Sequence, residues 1–149
     1  MNEEELLQLY GLEPDELNRK DIRQLLHQEI ENRQSEDNEV LKLLCIMLFC
    51  IGNVEDTTLI WQAKQKNQDT SSYIDVQLLC GAGYKETLFY LEKMDGEQAN
   101  KELLCLRQCE PYDFVNFSRM GLGLQTILRC LRINELNSLL EGEDYAKFA

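Results

Sequence analysis

The sequence predicts an all-α protein, built either as stacked antiparallel helical hairpins in an irregular, α-solenoid-like array or as a compact helical bundle. Three observations carry that prediction. Apolar residues recur at the 3.6-residue period of amphipathic helices, whereas strand-like alternation of Val, Ile and Thr is almost absent. Only two prolines and eight glycines interrupt the chain, and they fall mostly between the periodic segments. The tripeptide Leu-Leu-Cys occurs at 43–45, 78–80 and 103–105, each time in the second of two helix-like segments.

The elements follow in order. Glu3 to Tyr10 fits a short helix ended by Gly11. Pro14 suits a first-turn position, and Asp21 is the expected cap of an amphipathic segment bearing Ile22, Leu25, Leu26 and Ile30. The next helix is expected to start at Ser35, with Asp37 and Glu39 in its first turn, and to run through Ile51 to Gly52. Its residues from Leu43 to Ile51 are all apolar, and a helix that is apolar all round is stable in water only when others cover it, so this should be the central element.

Asp56 or a neighbour should cap a helix carrying Leu59, Ile60, Trp61 and Ala63. Asn67 to Ser72 reads as a polar loop. Residues 72–80 then form a helix stopped at Gly81-Ala82-Gly83, where one glycine supplies a positive φ and the other a close backbone approach. Tyr84 to Met94 and Glu97 to about Cys109 make the next pair, separated by Asp95-Gly96 and closed by Pro111. The apolar residues from Phe114 to Leu140 can be placed on further helical faces, and the whole chain, 1–149, is expected to form one domain with 141–149 frayed.

A longer similarity supports the hairpin reading. Thr58 to Lys64 lies 29 positions before Thr87 to Lys93 and matches it in Thr, Leu, an apolar residue, an aromatic residue and the final Lys. The Leu-Leu-Cys copies are spaced 35 and then 25 residues apart, which an array with variable loops tolerates. Consensus positions of tetratricopeptide and ankyrin repeats are missing, so the pattern speaks to architecture alone.

Composition narrows the classes of function. The formal net charge of −12 makes nonspecific attraction to nucleic acid unfavourable. The longest uninterrupted apolar run, nine residues, is far short of the ~20 that a membrane-spanning helix needs. No basic, apolar leader precedes the six cysteines, so the expected compartment is cytoplasmic and the thiols are expected to pack as small apolar groups without metal. Their spacings and apolar neighbours do not suit a zinc site.

Chemistry has few candidates. His27 is the sole histidine and falls on the polar side of its helix; no serine elbow accompanies it. Gly81-Ala82-Gly83 lacks the Lys-Ser/Thr pair of a phosphate-binding loop. Neither catalysis nor a cofactor is expected. The expected function is a soluble protein–protein interaction module with an acidic surface, and an immunity- or antitoxin-type neutraliser of a basic partner is one form of it. The predicted partner-binding residues are Trp61 and Tyr90, which hold matching repeat positions, and Glu55 and Asp56. Core packing is the competing role for the two aromatic rings. The alternative is a small helical enzyme or ligand-binding protein with a pocket between helices.

Overall fold

A computed structural model describes residues 2–11, 14–33 and 38–108, and over these the chain forms seven α-helices and three 3-10 turns without a strand. The protein is all-α. The expected helix start at Ser35 with Asp37, Cys109, Pro111, the apolar tail from Phe114 to Leu140 and the fraying end at 141–149 lie outside the described residues.

Helix α1 spans Glu3–Tyr10, and the Asn2 side chain accepts a hydrogen bond from the Glu5 amide at 2.9 Å. Three glutamates in its first turn complement the positive helix end, and Gly11 stops it with φ 72°. Helix α2, Arg19–Glu31, corrects the expected cap. Asp15, rather than Asp21, starts this stretch: its carboxylate accepts from the Leu17 amide while Asn18 Oδ1 accepts from the Asp15 amide. The 3-10 turn Glu16–Asn18 leads directly into α2. This reciprocal capping lies upstream of Asp21, leaving the Asp21 side chain exposed in the first turn of α2.

Helix α3, Glu39–Ile51, is the centre. Nine of its thirteen side chains are buried, and Gly52 ends it in the left-handed conformation. It packs against α1, α2, the helix α4 (Thr57–Lys64) and the 3-10 turn Val76–Cys80. Each fully buried Leu or Phe here contributes about 1.5–3 kcal/mol relative to exposure.

Between α4 and the next hairpin, two expectations change. The polar loop foreseen at Asn67 to Ser72 contains a helix, α5, Gln68–Tyr73, because Asn67 and Thr70 exchange capping hydrogen bonds of 2.9 and 3.0 Å. The helix foreseen over 72–80 is interrupted: Ile74 is extended, and Asp75 caps the shorter turn Val76–Cys80. Gly81 and Gly83 take one role each, but the positive φ stands at the start of α6 rather than at the end of the helix before it. A Cβ on Gly81 would meet the Phe49 carbonyl oxygen at 2.6 Å, and Gly83 has φ 109° immediately before α6.

Helices α6, Tyr84–Lys93, and α7, Glu97–Arg107, pack against each other, and the Tyr84 hydroxyl donates to the Leu106 carbonyl at 3.0 Å. Sequence similarity between α4 and α6 does not become similarity of environment. Ile60 is 2% exposed and its counterpart Phe89 56% exposed. The three Leu-Leu-Cys copies likewise fall in α3, a 3-10 turn and α7.

Candidate interaction face

The first turn of α2 and the turn before α4 are joined by charge. Arg19 and Arg23 stand four residues apart, so one face of α2 presents both guanidinium groups. They converge on Asp56, which is 1% exposed. Arg19 Nε donates to Asp56 Oδ2 at 2.9 Å and its Nη2 to Oδ1 at 3.0 Å, a two-pronged contact; Arg23 also donates to Oδ1. The bond to Asp56 raises the Arg19 pKa above its ordinary value. Arg19 also reaches Glu55 at 3.3 Å and Glu16 at 3.8 Å.

This arrangement reassigns one predicted contact residue. Asp56 is a buried brace between elements, and its side chain makes no helix-capping hydrogen bond; Asn53 caps the 3-10 turn Val54–Asp56 instead. Glu55 remains exposed, at 62% of its side chain, beside Glu16 at 65%. Trp61 is 8% exposed and belongs to the core cluster. Tyr90 is half-buried against that core from α6. The structure therefore does not gather the four predicted residues into one surface.

A different surface emerges along α1 and α2. Leu17, Asp21, Gln24 and Gln28 follow one another at three- and four-residue steps, and Leu25 lies four residues after Asp21, the spacing that aligns side chains on one helical face. Leu17 is 89% exposed, the most exposed large apolar side chain among the described residues, and Leu9 on α1 is 59% exposed. The same stretch of sequence is rich in carboxylates: Glu3, Glu4, Glu5, Asp15, Glu16 and Asp21. With Arg19 and Arg23 engaged by Asp56, Lys20 is the remaining lysine or arginine between Glu3 and Gln28.

Tyr10 from α1 meets this α2 face at a cavity of about 260 Å³, lined by Tyr10, Asp21, Gln24, Leu25 and Gln28. Burial, and then the charge of Asp21, push the Tyr10 phenol pKa up. Sequence reasoning missed this cavity because Tyr10 and Asp21 belong to separate helices. The readable signals were the capping pair Asp15 and Asn18 and the four-residue step from Leu17 to Asp21.

A larger cleft of about 670 Å³ is lined by Ile30, Arg33, Gln62, Gln65, Lys66 and Asn67. It opens where α2 and α4 end, at the negative ends of their dipoles, and Lys66 donates at 2.7 Å to the Glu29 carbonyl. Lys66 therefore serves the end of α2.

Two further titratable groups, Glu102 and Cys45, are buried. On the other side of α4, the Thr57 hydroxyl donates to Glu102 Oε2, while Oε1 is buried without a partner among the described residues. Burial raises the Glu102 pKa to about 7, with the Thr57 bond opposing the rise. Cys45, fully buried in α3, has its thiol pKa pushed up by loss of solvent, which makes it unreactive. His27 is exposed on α2. Among the described residues no three His, Cys, Asp or Glu side chains gather as metal ligands, and no helix is long and apolar enough to cross a membrane.

No protein-family model, curated protein or solved structure shows a significant match to this chain.

Proposed function

We propose that this protein is an interaction module whose acidic α1–α2 face docks a basic protein partner. The observation that carries the reading is Leu17, 89% exposed on a 3-10 turn and flanked by Asp15 and Glu16, with Glu55 brought alongside by Arg19. An apolar contact inside a carboxylate rim suits a partner that presents an apolar pocket among lysines or arginines. A neutraliser of a basic enzyme, of the immunity or antitoxin kind, is one form of this activity. The proposal assigns the chain binding rather than catalysis. It also places the protein in the cytoplasm, where core thiols such as Cys45 serve packing, and sets nucleic acid aside because of the net charge of −12.

The test separates charge from contact. A partner recovered with the tagged chain is titrated against wild type, a Glu16→Lys/Glu55→Lys double variant and Leu17→Ala at two salt concentrations. Charge reversal should slow association and reduce its salt dependence, whereas Leu17→Ala should speed dissociation. Affinity indifferent to salt and to all three substitutions would overturn the reading.

A further inference from the structure

We infer that the cavity between α1 and α2 is a socket for one arginine side chain of the docking partner, an inference that rests on the acidic-face reading. Its lining matches the parts of that side chain. Asp21 supplies a carboxylate that a planar guanidinium can engage with two parallel hydrogen bonds, a geometry an ammonium cannot reproduce. Gln24 and Gln28 add carboxamide oxygens for the remaining N–H groups, Leu25 offers an apolar wall for the aliphatic stem, and Tyr10 an aromatic ring of the kind that guanidinium groups stack upon.

Three observations make these groups available. Asp21, Gln24 and Gln28 are exposed, and their side chains make no hydrogen bond or ion pair among the described residues. Burial, and after it the charge of Asp21 across the same cavity, raises the Tyr10 pKa, so the carboxylate lies near the phenol, where an incoming cation would relieve it. The volume, about 260 Å³, lies below the roughly 300–1,000 Å³ of pockets for drug-sized molecules and suits a single long side chain. The socket also continues the face that bears Leu17, one helical turn away, so a single partner segment can reach both.

The experiment uses the whole chain and three end-blocked peptides, Gly-Gly-Xaa-Gly-Gly, with Xaa as arginine, lysine or citrulline. Citrulline keeps the shape and loses the charge. In NMR titrations the arginine peptide should shift the Tyr10 ring signals and the side-chain amide signals of Gln24 and Gln28; lysine should bind more weakly and citrulline not at all. Asp21→Asn should weaken the arginine peptide at least about tenfold, the loss of one charge-assisted contact. Glu86→Gln, which removes an exposed carboxylate on α6, should leave its affinity unchanged.

Absence of arginine-dependent shifts, or equal losses from Asp21→Asn and Glu86→Gln, would overturn the socket. If partner binding still responds to Glu16→Lys/Glu55→Lys, the acidic face survives that failure. If instead the peptide binds through Asp21 while partner affinity ignores charge, the docking reading fails and the socket stands alone.

Discussion

Asp56 and Glu102 are both carboxylates removed from solvent, at 1% and 0% exposure, and they lie on opposite sides of the start of α4. Asp56 is held by two arginines of α2. Glu102 is held by one hydroxyl, that of Thr57, the residue directly after Asp56. Neighbouring positions therefore tie the start of α4 to α2 by charge and to α7 through the Thr57 hydroxyl, next to the Gln98 bond to the Thr58 carbonyl. Burial penalises both carboxylates, and the partner decides the outcome. Asp56 is met by two guanidinium groups, whereas among the described residues no cation reaches Glu102 and burial raises its pKa to about 7.

The largest effect should come from breaking the compensated side. Asp56→Ala leaves two part-buried guanidinium groups facing each other and should cost about 3–5 kcal/mol in urea titration. A cost below about 1 kcal/mol would mean that water already screens the cluster.

The second effect is a pH slope on the uncompensated side. A carboxyl whose folded pKa is raised binds its proton more tightly when native, so its contribution is fully present below the ordinary value of 4.5 and is lost as pH rises to about 7. Unfolding measured from pH 4 to pH 8 should therefore show wild type losing about 3 kcal/mol relative to Glu102→Gln, with the variant the more stable protein at pH 8. Parallel curves for the two proteins would show that Glu102 is solvated.

Thr57→Val sharpens the same point. Among the described residues it removes the one donor to the Glu102 side chain, and it should cost about 2 kcal/mol at pH 8, where the carboxylate is charged, and less at pH 4. Equal losses at both values would identify the effect as packing. The smallest change belongs to the exposed edge of the first cluster: Glu55→Gln should alter stability by less than about 1 kcal/mol, since its pair with Arg19 is screened by water. A larger loss would make Glu55 part of the brace rather than part of the docking rim.

Much of the helical order was legible because it is local. The 3.6-residue period and the glycine stops predicted α1, the central α3, α6 and α7, and the glycine pair at 81 and 83 was read with both of its roles. Local rules also produced the misses. Asp21 looked like a cap until the Asp15–Asn18 pair upstream took that place, and Asn67 to Ser72 looked like a loop although Asn67 and Thr70 cap a helix. Turn-forming and helix-capping residues are the same types, so composition alone does not separate the two.

The candidate site was far less legible. Trp61 and Tyr90 were paired on sequence resemblance, but burial depends on what covers a helix: α4 is packed against α2, α5, α7 and the 3-10 turn Val76–Cys80, whereas Phe89 on α6 stays exposed. Asp56 was read as surface charge because its partners stand 37 and 33 residues away. The spacing of Arg19 and Arg23 was visible, but their convergence on Asp56 required the packing of α2 near α4.

By itself, the sequence determined that this chain is helical, that α3 is its core and that its net charge is strongly negative. Periodicity, apolar content and formal charge are properties of residues and of their nearest neighbours, and they survive without knowledge of the fold. Tertiary structure alone decided which carboxylates are compensated, which aromatic rings are covered and which side chains of α1 and α2 meet around a cavity. Each of those depends on distances between elements remote in sequence, and the energy of a charge or a ring changes several-fold with the solvent and partners that packing leaves it.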